Sequence, residues 1–179
     1  MPAPRIPGDE ARATVSVAVT PAEAFRIFTQ EVNLWWRRGR RFRIAPGQHG
    51  IVCIEPGPGG RLFESFDTPQ GEQVVQIGRT LAWEPPHRLL LEWRVANFAP
   101  DERTEVEVLF QPAATGTQVT VVHRGWAAIR PDHPVRHGLA VREFIRIRGL
   151  WWGEQLTLLR LRAVGGPIGA PPPQADPTP

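Results

Sequence analysis

Residues 138–163, G-L-A-V-R-E-F-I-R-I-R-G-L-W-W-G-E-Q-L-T-L-L-R-L-R-A, repeat apolar side chains at the period of an α-helix. At about 3.6 residues per turn, Val141, Phe144, Ile145, Ile147, Trp151, Trp152, Leu156, Leu158 and Leu159 share one wide arc. Arg142, Arg146, Gly153, Thr157 and Arg160 take the opposite side, which faces water. Arg148 and Gln155 interrupt the apolar arc near its centre, seven positions apart and almost one above the other. A helix this apolar on one face needs a broad cover, and a curved sheet is the natural one. Two polar groups inside the covered face imply that the space beneath is not all filled core.

The rest of the chain supplies that cover. Residues 11–19 place Ala13, Val15, Val17 and Val19 on one face of a strand. Thr20-Pro21-Ala22-Glu23 reads as a helix start, with Thr20 as N-cap, Pro21 at the first helical position and Glu23 completing a capping box. That helix carries Ala24, Phe25, Ile27 and Phe28, and a second short turn carries Val32, Leu34, Trp35 and Trp36. Strands follow at 51–55, 61–66, 73–83, 88–95, 104–111 and 117–124, separated by turn clusters such as P-G-P-G-G and E-P-P-H. In the fourth of these, Leu89, Leu91, Trp93 and Val95 oppose Glu92 and Arg94. In the next, Val106, Val108 and Phe110 oppose Glu105 and Glu107. One apolar face per strand is the pattern of an antiparallel sheet wet on one side. The reading is an α+β chain: strand, two short helices, about six more strands and a long helix.

The 179 residues suffice for one domain with a sizeable core. Residues 1–10 read as a flexible lead, 11–164 as the domain, and 165–179 as a disordered Pro-rich tail. No apolar run approaches a membrane span and the N-terminus lacks a signal core, so the expectation is a soluble cytoplasmic protein with no membrane insertion. A single cysteine, Cys53, excludes an internal disulfide and reads as a small core residue. The isoelectric point of 10.7 looks like a nucleic-acid binder's, yet the net charge is only +3. All 21 basic residues are arginine and there is no tyrosine, so little titrates at high pH and a small excess charge moves the isoelectric point far. No nucleic-acid partner is expected.

Several stretches together resemble a known family: T-P-A-E-A-F-R-I-F-T-Q-E-V-N-L-W-W (20–36), G-G-R-L-F-E (59–64), G-R-T-L-A-W-E-P-P-H-R-L-L-L-E-W (78–93), T-E-V-E-V-L-F (104–110) and G-T-Q-V-T-V-V-H-R-G-W (116–126). They are similar to bacterial proteins grouped with the activator of the heat-shock-protein-90 ATPase, within the START-like (SRPBCC) superfamily. The match spans about residues 13–163 in the family's order. The resemblance implies a helix-grip fold, with a sheet of about seven strands curled around the C-terminal helix and a hydrophobic cavity between them. The superfamily includes lipid and hormone carriers, aromatic polyketide cyclases and co-chaperones. Three departures fall where the cavity should lie: Leu62 in place of an aromatic, E-Q-V-V-Q-I-G in place of an acidic Trp-bearing strand, and Trp151-Trp152 in place of Gly-Trp. They bear on the ligand more than on the fold. The co-chaperones carry a further domain ahead of this one, and only about ten residues precede the first strand here, too few for a folded domain.

The candidate ligand-binding residues are Trp35, Trp36, Phe63, Trp93, His123, Phe144, Arg148, Trp151, Trp152 and Gln155. The tryptophans, Trp126 among them, should converge on one interior, as core or as flat cavity walls. Arg148 must snorkel, pair with a carboxylate (Glu64 is the candidate) or meet a ligand anion, because a buried unpaired guanidinium costs several kcal/mol. His123 points inward and reads first as a satisfied core histidine. Arg37, Arg38, Arg40, Arg41 and Arg43 crowd one loop, which reads as solvated or, more sharply, as a collar attracting an anion. His133 and His137 have metal-like spacing, but Pro134 lies between them and no glutamate accompanies them, so no metal site is expected. No cofactor fingerprint is present.

The leading expectation is a module that binds a small apolar or aromatic, optionally anionic, molecule. The second is a cyclase- or dehydratase-like enzyme acting on a poly-carbonyl or aromatic substrate through His123, Glu64 and Arg148. That reading needs two of the three within reach of one point in the cavity. The third is a co-chaperone with a chaperone partner, and a homodimer is compatible with any of them.

Overall fold

Alternating apolar and polar residues build seven strands: β1 (Glu10–Val17), β2 (Ile51–Ile54), β3 (Arg61–Thr68), β4 (Gly71–Glu84), β5 (Arg88–Trp93), β6 (Thr104–Ala113) and β7 (Gly116–Arg124). They come from a computed structural model that describes residues 6–44, 50–94 and 97–165. The first five residues of the lead, residues 45–49 of the arginine loop, Val95 and the tail from residue 166 lie outside the described residues. The strands pair antiparallel throughout, in the order β1-β7-β6-β5-β4-β3-β2. Register shifts at Leu62/Phe63 and at Thr80/Ala82 bend the long β4 on both flanks, as bulges do, and the sheet curls. A Cβ at Gly78 would lie 2.1 Å from the carbonyl oxygen of Glu92, so only glycine lets β4 approach β5 this closely.

The concave face is apolar. Val17, Leu62, Leu89, Leu91, Trp93, Val106, Val108, Phe110, Val119 and Val121 are all buried in one cluster. Two elements after β1 cover part of it: α1 (Pro21–Gln30) and α2 (Val32–Trp35). Thr20 caps α1, accepting the N–H of Glu23 at 3.3 Å. The capping box is not completed as expected, because both Glu23 oxygens are taken by Arg26 at 2.6 and 2.8 Å.

The long helix, α3 (Val141–Ala163), lies along β1 over the concave face. It starts three residues later than its pattern implied. His137 and Gly138 have φ of 49° and 71°, left-handed values that no helical turn accepts. The buried stripe is also narrower than the arc drawn from the sequence. Phe144, Trp151, Trp152, Gln155, Leu156 and Leu159 are buried, while Ile147, expected inward, is exposed. Gln155 sits at the centre of the stripe with no exposed surface.

The convex face departs from the expected wet surface. Glu105 and Glu107 do oppose Val106 and Val108, but both are buried. Arg124 and Arg88 lie flat across the strands and clamp Glu107 at 2.7 Å each, and Arg124 reaches Glu105 at 3.5 Å. Long arginine stems cover the carboxylates they neutralise.

Candidate functional site

Indole chemistry builds the site. Trp36 is stacked on Trp93 with centroids 5.9 Å apart and planes at 17°. Trp151 and Trp152 meet Trp36 edge-on, both at 5.9 Å. Such offset and edge contacts add stabilisation beyond burial alone. An indole N–H buried here needs an acceptor, and the arginine loop supplies two. Trp36 donates to the carbonyl of Phe42 and Trp151 to that of Arg41, both at 2.8 Å. Gln155 accepts the N–H of Arg37 at 2.8 Å, and the Phe42 ring stacks on Trp151 at 5.4 Å. Arg43 is buried and donates to the side chain of Asn33 at 3.0 Å and to the carbonyls of Gly50 and Trp36 at 2.8 and 3.0 Å. Residues 37–44 are therefore strapped to the helix and sheet, where a freely solvated loop was the first expectation.

Between this loop, α3, the middle of β4 and the end of β5 lies a half-open cleft of about 600 Å³. Its aromatic walls are Trp36, Phe42, Trp93, Phe98 and Trp151. Residues 75–78 of β4 form one side, with Ile44 at the loop end. Five arginines line it, Arg40, Arg41, Arg43, Arg94 and Arg148, against one carboxylate residue, Glu92.

Arg148 is held by aromatic faces. Its guanidinium carbon lies 4.9 Å from the Trp126 ring centre and 4.8 Å from that of Trp151. Cation–π attraction of this kind is stronger where water is excluded. Burial pushes its pKa down to about 10, so it stays charged at neutral pH. The expected partner, Glu64, is elsewhere: it accepts the N–H of Ile44 at 2.7 Å, and its charge acts on Arg43, whose pKa burial also pushes to about 10.

His123 is fully buried and both ring nitrogens are engaged. Trp152 Nε1–H donates to Nδ1 at 3.1 Å, which leaves the proton on Nε2, 2.9 Å from Thr104 Oγ1. Thr104 in turn donates to the carbonyl of Trp93 at 3.0 Å. Burial, and secondarily the charge of Arg148, hold the His123 pKa well below its ordinary value. The folded state therefore refuses a proton that the unfolded chain accepts below about pH 6.5. Its stabilising contribution is complete above that pH and is lost as pH falls. Urea melts are expected to show stability falling between pH 7.5 and 5.5, with this one group contributing on the order of 1 kcal/mol. In His123→Gln that part of the slope should vanish; an unchanged slope would assign it to other groups.

Of the residues expected at a ligand site, Trp36, Trp93, Arg148 and Trp151 line the cleft. The others are placed elsewhere. Trp35 is core, donating to the carbonyl of Ile27 at 3.1 Å. Phe63 lies on the opposite face of β3 from Leu62 and Glu64, under the Arg61 guanidinium at 4.8 Å. Phe144 packs edge-on against Trp126 at 4.7 Å. Trp152, Gln155 and His123 form the buried layer behind the cleft. Phe42, Phe98, Arg94 and residues 75–78 were not anticipated. Only the run R-R-G-R-R-F-R, with its aromatic among the charges, hinted at a wall. His133 caps a short turn, accepting the N–H of Val135 at 3.1 Å.

The chain matches the family described as Activator of Hsp90 ATPase homolog 1-like protein over residues 18–141. No curated protein matches it. Among solved structures, protein NE0264 from Nitrosomonas europaea is similar with a TM-score of 0.61 at 18% identity, over 91% of this chain and 99% of its own. Protein MLL2253 from Mesorhizobium loti has a TM-score of 0.57 at 20% identity, over 87% and 96%. The anthrahydroquino-gamma-pyrone synthase Txn09, complexed with SUM, has a TM-score of 0.52 at 28% identity, over 87% and 98%. These likenesses identify the fold as the START-like helix grip. Among the described residues no helix is long and apolar enough to cross a membrane.

Proposed function

The chain belongs to the family of Activator of Hsp90 ATPase homolog 1-like proteins, and from that premise we propose that it is a small-molecule binding module whose ligand is aromatic. The observation that carries this reading is the cleft of about 600 Å³ with Trp36, Phe42, Trp93, Phe98 and Trp151 on its walls. That volume suits a fused-ring molecule, and flat indole faces offer it stacking area at little entropic cost. Because Trp36, Trp93 and Trp151 sit in contact, any occupant reports itself in their emission. Titration with a panel of neutral fused-ring aromatics, anthraquinone among them, should give saturable quenching and a melting temperature that rises with ligand concentration. Neither effect across the panel would overturn the reading.

A second reading is favoured by the 28% identity to Txn09, which is named as a synthase: the aromatic occupant is transformed as well as held. His123 is a poor base for such a step, since both its nitrogens are hydrogen-bonded. Glu64 accepts a backbone N–H, and neither residue lines the cleft. The cleft groups able to act on a carbonyl oxygen are cationic, which suits stabilisation of an enolate more than proton abstraction. Turnover of a poly-carbonyl substrate that Arg148→Met abolishes would support this second reading.

A further inference from the structure

We infer that the ligand is an organic acid, a planar aromatic carboxylate or enolate, and that Arg148 is the residue that binds its charged oxygens. The inference rests on the binding reading above and adds the chemistry of the occupant.

The unsatisfied groups around the cleft are donors. Two of its lining residues carry buried N–H groups with no hydrogen-bond partner, Nε1 of Trp93 and Nε of Arg148. Nε1 of Trp126, whose ring faces the same guanidinium, is also without one. Leaving such a group unpaired is unfavourable, and the shortage is one-sided. Those three atoms are enclosed, so an occupant meets them as a donor-rich wall, which favours a molecule that brings oxygen atoms over one that brings donors.

The cations of the cleft differ in what they already hold. Arg43 donates to Asn33, Gly50 and Trp36. Arg94 donates to the carbonyls of Ala99 and Pro100 at 2.8 and 3.1 Å. Arg41 lies 4.0 Å from Glu154, and the carboxylate of Glu92 lies 3.5 Å from Arg79. Arg148 rests between two indole faces and, among the described residues, carries no carboxylate partner. A guanidinium clamped by its faces still presents N–H groups at its edge, the geometry that receives a carboxylate. Arg40 and Arg41 stand exposed at the rim, where their field draws an anion inward.

Calorimetric titration with 2-naphthoate and 2-naphthamide tests this, because the two probes share ring and shape and differ in charge. The wild-type protein should bind the acid at least about tenfold more tightly than the amide. In Arg148→Met the preference should fall to about one while amide affinity is kept; Arg40→Gln should retain most of the preference at moderate salt. Equal affinity of the wild-type protein for both probes overturns the inference and leaves the binding reading standing. A preference that survives Arg148→Met overturns the assignment to Arg148. Failure of both probes to bind overturns the inference, and the binding reading is then decided by the panel of neutral aromatics above. The wild-type comparison needs no variant, so it decides the anionic character even if Arg148→Met does not fold.

Discussion

Trp152→Ala is expected to destabilise the protein by about 3–5 kcal/mol, the range for removing a large aromatic from a packed core. Trp152 is fully buried, touches Trp36, Trp93 and Trp151 edge-on, and donates to His123. The variant leaves a cavity and a histidine nitrogen with no donor. For a chain of this size the melting temperature should fall by roughly 10 °C. Trp152→Phe keeps most of the volume and loses only the N–H, so its cost should be nearer about 1–2 kcal/mol. Equal losses for the two variants, measured by urea denaturation, would mean that the hydrogen bond rather than the packing dominates.

Arg43→Met should cost about 3 kcal/mol, because one cation joins three acceptors from the helical segment and from Gly50. Its removal also strips Glu64 of the nearby positive charge. The consequence for function is larger than the consequence for stability. Residues 37–44 form a wall of the cleft only while strapped down, so affinity for an aromatic ligand should fall at least about tenfold. Arginines in this loop make the effect visible to trypsin, which cleaves extended backbone. Cleavage within residues 37–43 should be slow in the wild-type protein and fast in Arg43→Met. Unchanged cleavage would show that the loop is held by Trp36, Trp151 and Gln155 without the arginine.

The strands were legible because alternation is a local property, and Thr20 announced α1 by its own chemistry. The helix centre was legible too: Arg148 and Gln155 interrupt the apolar arc, and they do lie under the helix. Side-chain destinations were less so. Trp35 and Trp36 are neighbours, yet one bonds within the core and the other faces the cleft. Trp151 and Trp152 divide in the same way, because one residue turns a helix by about 100°. The partner of Glu64 was set by a backbone N–H twenty positions away in sequence, at Ile44. The burial of Glu105 and Glu107 depended on arginines from neighbouring strands, which no single-strand pattern contains. The arginine loop became a wall through indole N–H groups from α2's end and α3, joined by Gln155 and by the buried Arg43.

The most direct test is a crystal structure of the protein soaked with 2-naphthoate. Ligand density is expected between Trp36, Trp93 and Trp151, with the carboxylate turned toward Arg148. An empty cleft at saturating ligand, or density only on the convex face of the sheet, would contradict a binding site between helix and strands.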